Sequence, residues 1–245
     1  MIGETNMKAV PLALLAALLT GCASIQPVRM ALPVPLAEEP ALPFEGMGFG
    51  QKGRFHAGPY AASFTRSDTR LALFDAFIER RSGKTSFALQ GPGIDGAIEA
   101  ECRVAERTIN ISVISFNPKP MAYLCRFSHQ GRALPARFEL QEERSGLAGM
   151  LMRQGRRGEL AFDHVVITMA SVHRLQGSGI ETGTPIGYWF ESDGVPVGAV
   201  ELDGKPAVRF APGIDAATRR AVMVAATALG VLWDPAESAL GRETD

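Results

Sequence analysis

The chain has 245 residues, 46% hydrophobic and 21% charged, enough for one domain or at most two with a sizeable core. Its 25 basic and 26 acidic side chains leave a net charge of −1, which excludes the basic excess that a nucleic-acid surface needs. With 26 Gly, 16 Pro and many short apolar runs, the composition leans towards β-structure joined by tight turns.

The N-terminus carries the first element. Ala9 to Thr20 is apolar but shorter than the roughly 17–25 residues that span a bilayer. It follows Met7-Lys8 and precedes Gly21-Cys22, the layout of a secretory signal: charge, apolar centre, small residues at the cut. Glu4 is unusual at the start of a signal, so Met7 competes with Met1 as the initiator. The run Leu19-Thr20-Gly21-Cys22 resembles the lipobox of bacterial lipoproteins. That resemblance implies cleavage after residue 21 and lipidation of Cys22, hence a membrane partner through the anchor. Because Ala23, not Asp, follows the Cys, it also implies the periplasmic face of the outer membrane. The alternative is an unlipidated secretory signal in which the Cys is incidental.

Residues 22–43 read as the lipidated Cys and an extended tether, with prolines at 27, 33, 35, 40 and 43 that exclude a helix. At about 3.1 Å per residue such a tether reaches roughly 60 Å. The globular domain is expected over 44–235, followed by a flexible tail over 236–245.

Short strands are predicted at Gly53–Ala57, Tyr60–Thr65 and Ser86–Gln90. Between them, Asp68 to Gly83 fits a capped helix or an alternating strand, and the strand is preferred. Cys102 alternates with Glu101 and Arg103, and Cys125 shares a face with Tyr123 and Phe127. Both thiols therefore project from apolar strand faces, and in an exported protein they are expected to form a disulfide. Two free buried thiols are the alternative. A metal held by Cys102, Cys125 and His129 lacks a fourth ligand at any usual spacing. No cofactor is implied.

Further strands are expected around Ile109–Ile114, Arg137–Gln141 and Leu147–Arg153, with Arg153, Arg156 and Arg157 around a solvated hairpin tip. Glu159 to Gly177 is long enough for two strands or a bent one. Ser171, His173, Arg174 and Ser178 gather polar groups beside a Gly-rich turn there, making His173, Arg174 and Ser178 the candidate ligand-facing residues; a strand entering a loop is the alternative. Asp193-Gly194 and Asp203-Gly204 divide Ile186–Phe210 into three strands, since Asp-Gly is a strong hairpin signal. About eleven to thirteen short strands indicate a barrel or a sandwich.

The last element is a helix over 215–233, capped by Asp215 and stopped by Asp234-Pro235. Ala221 to Trp233 is apolar on every side, which places it inside protein or lipid. It is too short to span a membrane, so burial in the fold is expected. That burial is worth on the order of 10–20 kcal/mol at about 25 cal/mol per Å², an upper bound. Gly230 is expected where another group approaches closely. Many antiparallel strands around one apolar C-terminal helix resemble the tubby-like barrels, which include tubby and the phospholipid scramblases. The resemblance implies an antiparallel barrel of about twelve strands around the helix. The phosphoinositide-binding residues of that family have no counterpart here. A β-sandwich with the helix packed on one face is the alternative.

No nucleophile elbow, Walker loop, dinucleotide fingerprint or zincin motif is present. The expected function is therefore a non-enzymatic binding or structural role in the envelope, with an envelope protein or lipid as partner. A carrier of lipid or another hydrophobic ligand would need a cavity beside the helix. An envelope hydrolase would need a nucleophile within reach of His173 or His164.

Overall fold

The computed structural model describes residues 29–73, 78–111, 114–143, 155–179 and 181–232, with only the backbone of 68–81 and 106–120. The signal segment, Cys22, the expected strand near Leu147–Arg153 and the Asp234-Pro235 stop lie outside them. Twelve strands form one antiparallel sheet: β1 (Leu42–Pro43), β2 (Lys52–Ala57), β3 (Tyr60–Leu73), β4 (Ile78–Gln90), β5 (Ile98–Ile111), β6 (Ile114–His129), β7 (Arg132–Glu142), β8 (Arg156–Phe162), β9 (Val165–Val172), β10 (Gly187–Ser192), β11 (Val195–Glu201) and β12 (Ala207–Phe210). From β2 to β12 each strand pairs with the next in sequence, and β1 pairs with β12. Glu45 and His56 then exchange backbone hydrogen bonds of 2.8 and 2.9 Å across the seam between β1 and β2. The result is a nearly closed barrel, not a sandwich.

The hand of the hairpins follows from local chemistry. Gln130-Gly131, Asp163-His164 and Asp193-Gly194 all have positive φ at both positions, the twist that two-residue hairpins require. Asp163-His164 thus splits the long Glu159–Gly177 stretch into β8 and β9. Within Asp68 to Gly83 the described residues are strand, not helix, but they form two antiparallel strands, β3 and β4, paired through Leu73 and Ile78, not the single alternating strand expected.

Period-two alternation sends Phe55, Phe64, Phe87, Phe127, Phe138, Leu140, Leu160 and Phe190 inward, each at most 4% exposed. The bore they line is occupied by helix α2 (Ala216–Val231). Ala221 to Leu229 are at most 1% exposed on every helical face. The helix touches β3, β4, β8, β9, β11 and β12, so the sheet surrounds it. Asp215 caps it, its carboxylate accepting from the Thr218 amide at 2.7 Å. That hydrogen bond holds the Asp215 carboxyl below the usual carboxylate range. Two glycines set the fit. A Cβ at Gly198 would lie 2.7 Å from Val222, and one at Gly230 would lie 2.7 Å from the Phe44 ring. At the other end, the Tyr123 hydroxyl donates to the Ala228 carbonyl at 3.2 Å. Leu232 N–H goes to Leu229, not to Ala228, so the tyrosine satisfies a carbonyl that the helix end leaves open.

Cys102 and Cys125 face each other directly on β5 and β6 and are joined by a disulfide. Neither free thiols nor a metal set with His129 is formed.

Two expectations need correction. Residues 29–43 are laid against the barrel, and Val34–Ala37 forms a short helix, α1, despite the prolines. Pro33 and Pro35 occupy its start, where a missing N–H costs nothing. Leu36 is fully buried in a small cluster with Met30, Ile186, Ala199 and Ala211, and Met30 bridges to Leu175. The Arg209 guanidinium, 5% exposed, donates to the Glu39 carbonyl beneath this strap. The second correction is Arg156, expected at a solvated tip but only 5% exposed within β8.

Candidate functional site

The connection between β9 and β10, residues 173–186, folds over one rim of the barrel. The N-terminal strap fastens to it, the Ala31 amide donating to the Arg174 carbonyl and the Gln176 amide to the Arg29 carbonyl, at 2.9 and 2.7 Å. His173 is buried beneath this connection at 3% exposure. Its Nδ1 lies 2.9 Å from the Thr182 carbonyl, and its Nε2 lies 3.0 Å from Ser171 Oγ. The carbonyl only accepts, so the neutral ring carries its proton on Nδ1 and Nε2 accepts from the serine hydroxyl. Ser171 Oγ in turn accepts from the Arg156 amide at 2.9 Å, and Arg156 Nη1 approaches the Tyr188 hydroxyl at 3.5 Å.

This is a hydroxyl–imidazole pair with a backbone carbonyl in the orienting position. Chemically it can polarise the serine, the first step of nucleophilic catalysis. It also binds the connection to the barrel, since the Thr182 amide donates to the His173 carbonyl at 2.8 Å and the Thr182 hydroxyl at 3.0 Å. Burial of the imidazole and a serine oxygen that already accepts an amide favour the second role.

Of the three residues expected to face a ligand at this edge, His173 enters the buried network. Arg174 is an exposed residue paired with Glu181 at 3.2 Å, and Ser178 sits in the turn, its amide donating to Leu175 O at 3.1 Å. Ser171 and Thr182 meet His173 directly, Arg156 meets it through Ser171, and Tyr188 adjoins Arg156. Ser171 stands two residues from His173 along the same strand edge, a spacing that is a readable signal, whereas Arg156 and Tyr188 arrive from β8 and β10.

The other histidines are scattered. His164 is a turn residue with φ 66°. His56 is on β2 at the seam, and His129 lies against the Asp95 carbonyl. Among the described residues no three His, Cys, Asp or Glu side chains converge as a metal site, and no helix is long and apolar enough to cross a membrane. The outer surface of β2–β5 holds an open depression of about 830 Å³, lined by Ser63, Thr65, Ser86, Glu99 and Glu101. Gly53 also lines it, and a Cβ there would lie 2.6 Å from the ring of its cross-strand partner Phe64. No family model, curated protein or solved structure matches this chain.

Proposed function

We propose that the chain is a lipid-anchored protein at the periplasmic face of the bacterial outer membrane, with a non-enzymatic binding or structural role in the envelope. The lipobox-like Leu19-Thr20-Gly21-Cys22 supports the anchor. The observation that carries the role is the filled bore. Ala221 to Leu229 occupy the space that a carrier of acyl chains would need, so binding falls to the outer surface and the rims. Cells fed labelled palmitate should label the wild-type chain and not Cys22→Ala. An unlabelled wild type would overturn the anchor.

One observation favours a second reading, an envelope hydrolase: the 3.0 Å Ser171–His173 pair oriented by Thr182. It requires Ser171 to be reached by substrate. A fluorophosphonate probe distinguishes the two. The first reading expects no labelling that depends on Ser171. Labelling lost in Ser171→Ala, with the fold intact, would establish the hydrolase instead.

A further inference from the structure

The register gives the depression on the outer surface of β2–β5 an order. One ladder row runs Lys52, Thr65, Ser86 and Glu101 across the four strands, and the next runs Arg54, Ser63, Ala88 and Glu99. Each row starts on a cation, crosses two small side chains and ends on a carboxylate. Lys52, Arg54, Glu99 and Glu101 are all exposed, and they wall a trough of about 830 Å³.

Opposite charges stabilise a sheet when they face one another on adjacent strands. Here two strands of small residues keep them apart, so neither wall neutralises the other. The side chains of Lys52, Arg54 and Glu101 form no ion pair or hydrogen bond among the described residues. Glu99 accepts a hydrogen bond from the Ser128 hydroxyl at 3.3 Å. Arg126 lies opposite Glu101 on β6, and no ion pair joins them among the described residues. On the floor, Thr65 Oγ1 and Ser86 Oγ share one hydrogen bond of 2.7 Å. Whichever hydroxyl donates, the other keeps its proton for an acceptor above it.

The walls also fix a length. Three strand intervals of about 4.8 Å set them about 14 Å apart at the backbone. An extended peptide of three or four residues spans about 10–13 Å, which fits once the wall side chains lean inward. A single amino acid carries both charges within about 3.5 Å and cannot touch both walls.

We propose that this trough binds a short extended peptide with free ends, laid across the strands. Its ammonium meets Glu99 and Glu101, its carboxylate meets Lys52 and Arg54, and its amide carbonyls accept from the floor hydroxyls. This deepens the binding role proposed above, on which it rests, by naming the ligand class.

The isotope-labelled full-length chain titrated with trialanine and tetra-alanine should show amide NMR shifts centred on Ser63, Thr65, Ser86 and Ala88. An exposed ion pair is worth up to about fivefold in affinity. Acetylating the amino end or amidating the carboxyl end should each weaken binding about fivefold, and free alanine should barely bind. In Lys52→Gln with Arg54→Gln the free peptide should bind like the amidated one, and amidation should then cost nothing further. Glu99→Gln with Glu101→Gln should respond in the same way to acetylation. All four side chains are exposed, so melting temperatures should not change. The site is refuted if the peptides leave the floor amides unshifted, or if blocked peptides bind as well as free ones. Equal shifts from acetate alone would replace it with a simple anion site. The fluorophosphonate experiment reads Ser171, which lies outside the trough, so failure of the non-enzymatic reading and failure of the peptide site are told apart.

Discussion

Gly230→Ala sets two known effects against each other at the barrel seam. In an open helix the change is favourable by about 1 kcal/mol, because glycine is the poorer helix former. Here the new methyl would sit 2.7 Å from Cε2 and 3.2 Å from Cδ2 of Phe44. The Phe44 ring cannot swing away freely. It is 1% exposed and stacked on Phe55, with centroids 4.4 Å apart and planes 10° from parallel. Overpacking of this kind costs about 1–3 kcal/mol, so the variant should lose about 1 kcal/mol net. The decisive quantity is the coupling. In a Phe44→Leu background the obstruction shrinks, and Gly230→Ala should become neutral or stabilising, giving an interaction of about 1–2 kcal/mol. Urea unfolding of the four chains with the disulfide intact measures this, read as midpoint shifts at constant slope. If Gly230→Ala stabilised both backgrounds by about 1 kcal/mol, the helix end would not abut Phe44. The account of a helix fitted against the seam would then be wrong.

Two other perturbations test the core. Replacing both Cys102 and Cys125 by Ala reopens a loop between residues 23 apart, worth about 3 kcal/mol in the chain-entropy model; a reduced and an oxidised sample that melt together would contradict the bridge. Tyr123→Phe should cost about 1–2 kcal/mol, since it strips the Ala228 carbonyl of its donor. Burial raises the Tyr123 hydroxyl well above its ordinary value near 10. The unfolded chain therefore ionises first, and the native state loses stability as pH rises through about 10. That alkaline loss should be smaller in Tyr123→Phe, as measured by melting temperature against pH.

Much of the architecture was legible because its signals are local. The Asp193-Gly194 turn, the Asp215 cap and the uninterrupted apolar run from Ala221 each depend on a few neighbouring residues, and each appears where its chemistry requires. The two cysteines were readable for a similar reason, since alternation alone puts them on inward faces, leaving only the register to bring Cys102 opposite Cys125. What was missed depends on closure. Arg156 looks like a turn cation until β9 and β10 bring Ser171 and Tyr188 to it. The proline-rich 29–43 looks like a free spacer until the barrel exists to bury Leu36. Ser171 could have been paired with His173 by strand spacing, but the Thr182 carbonyl that orients the ring comes from the far end of a long connection.

The apolar C-terminal run shows how two readings of one stretch separate. By composition alone it fits lipid or protein equally. Its length argues against a span, but length cannot say what surrounds it. The glycines do: Gly198 on β11 and Gly230 on the helix are both places where a single methyl would collide, one with Val222 and the other with Phe44. A lipid environment makes no such demand at fixed positions. The helix is thus fitted to its own strands, and any contact with a membrane has to be made by other parts of the chain.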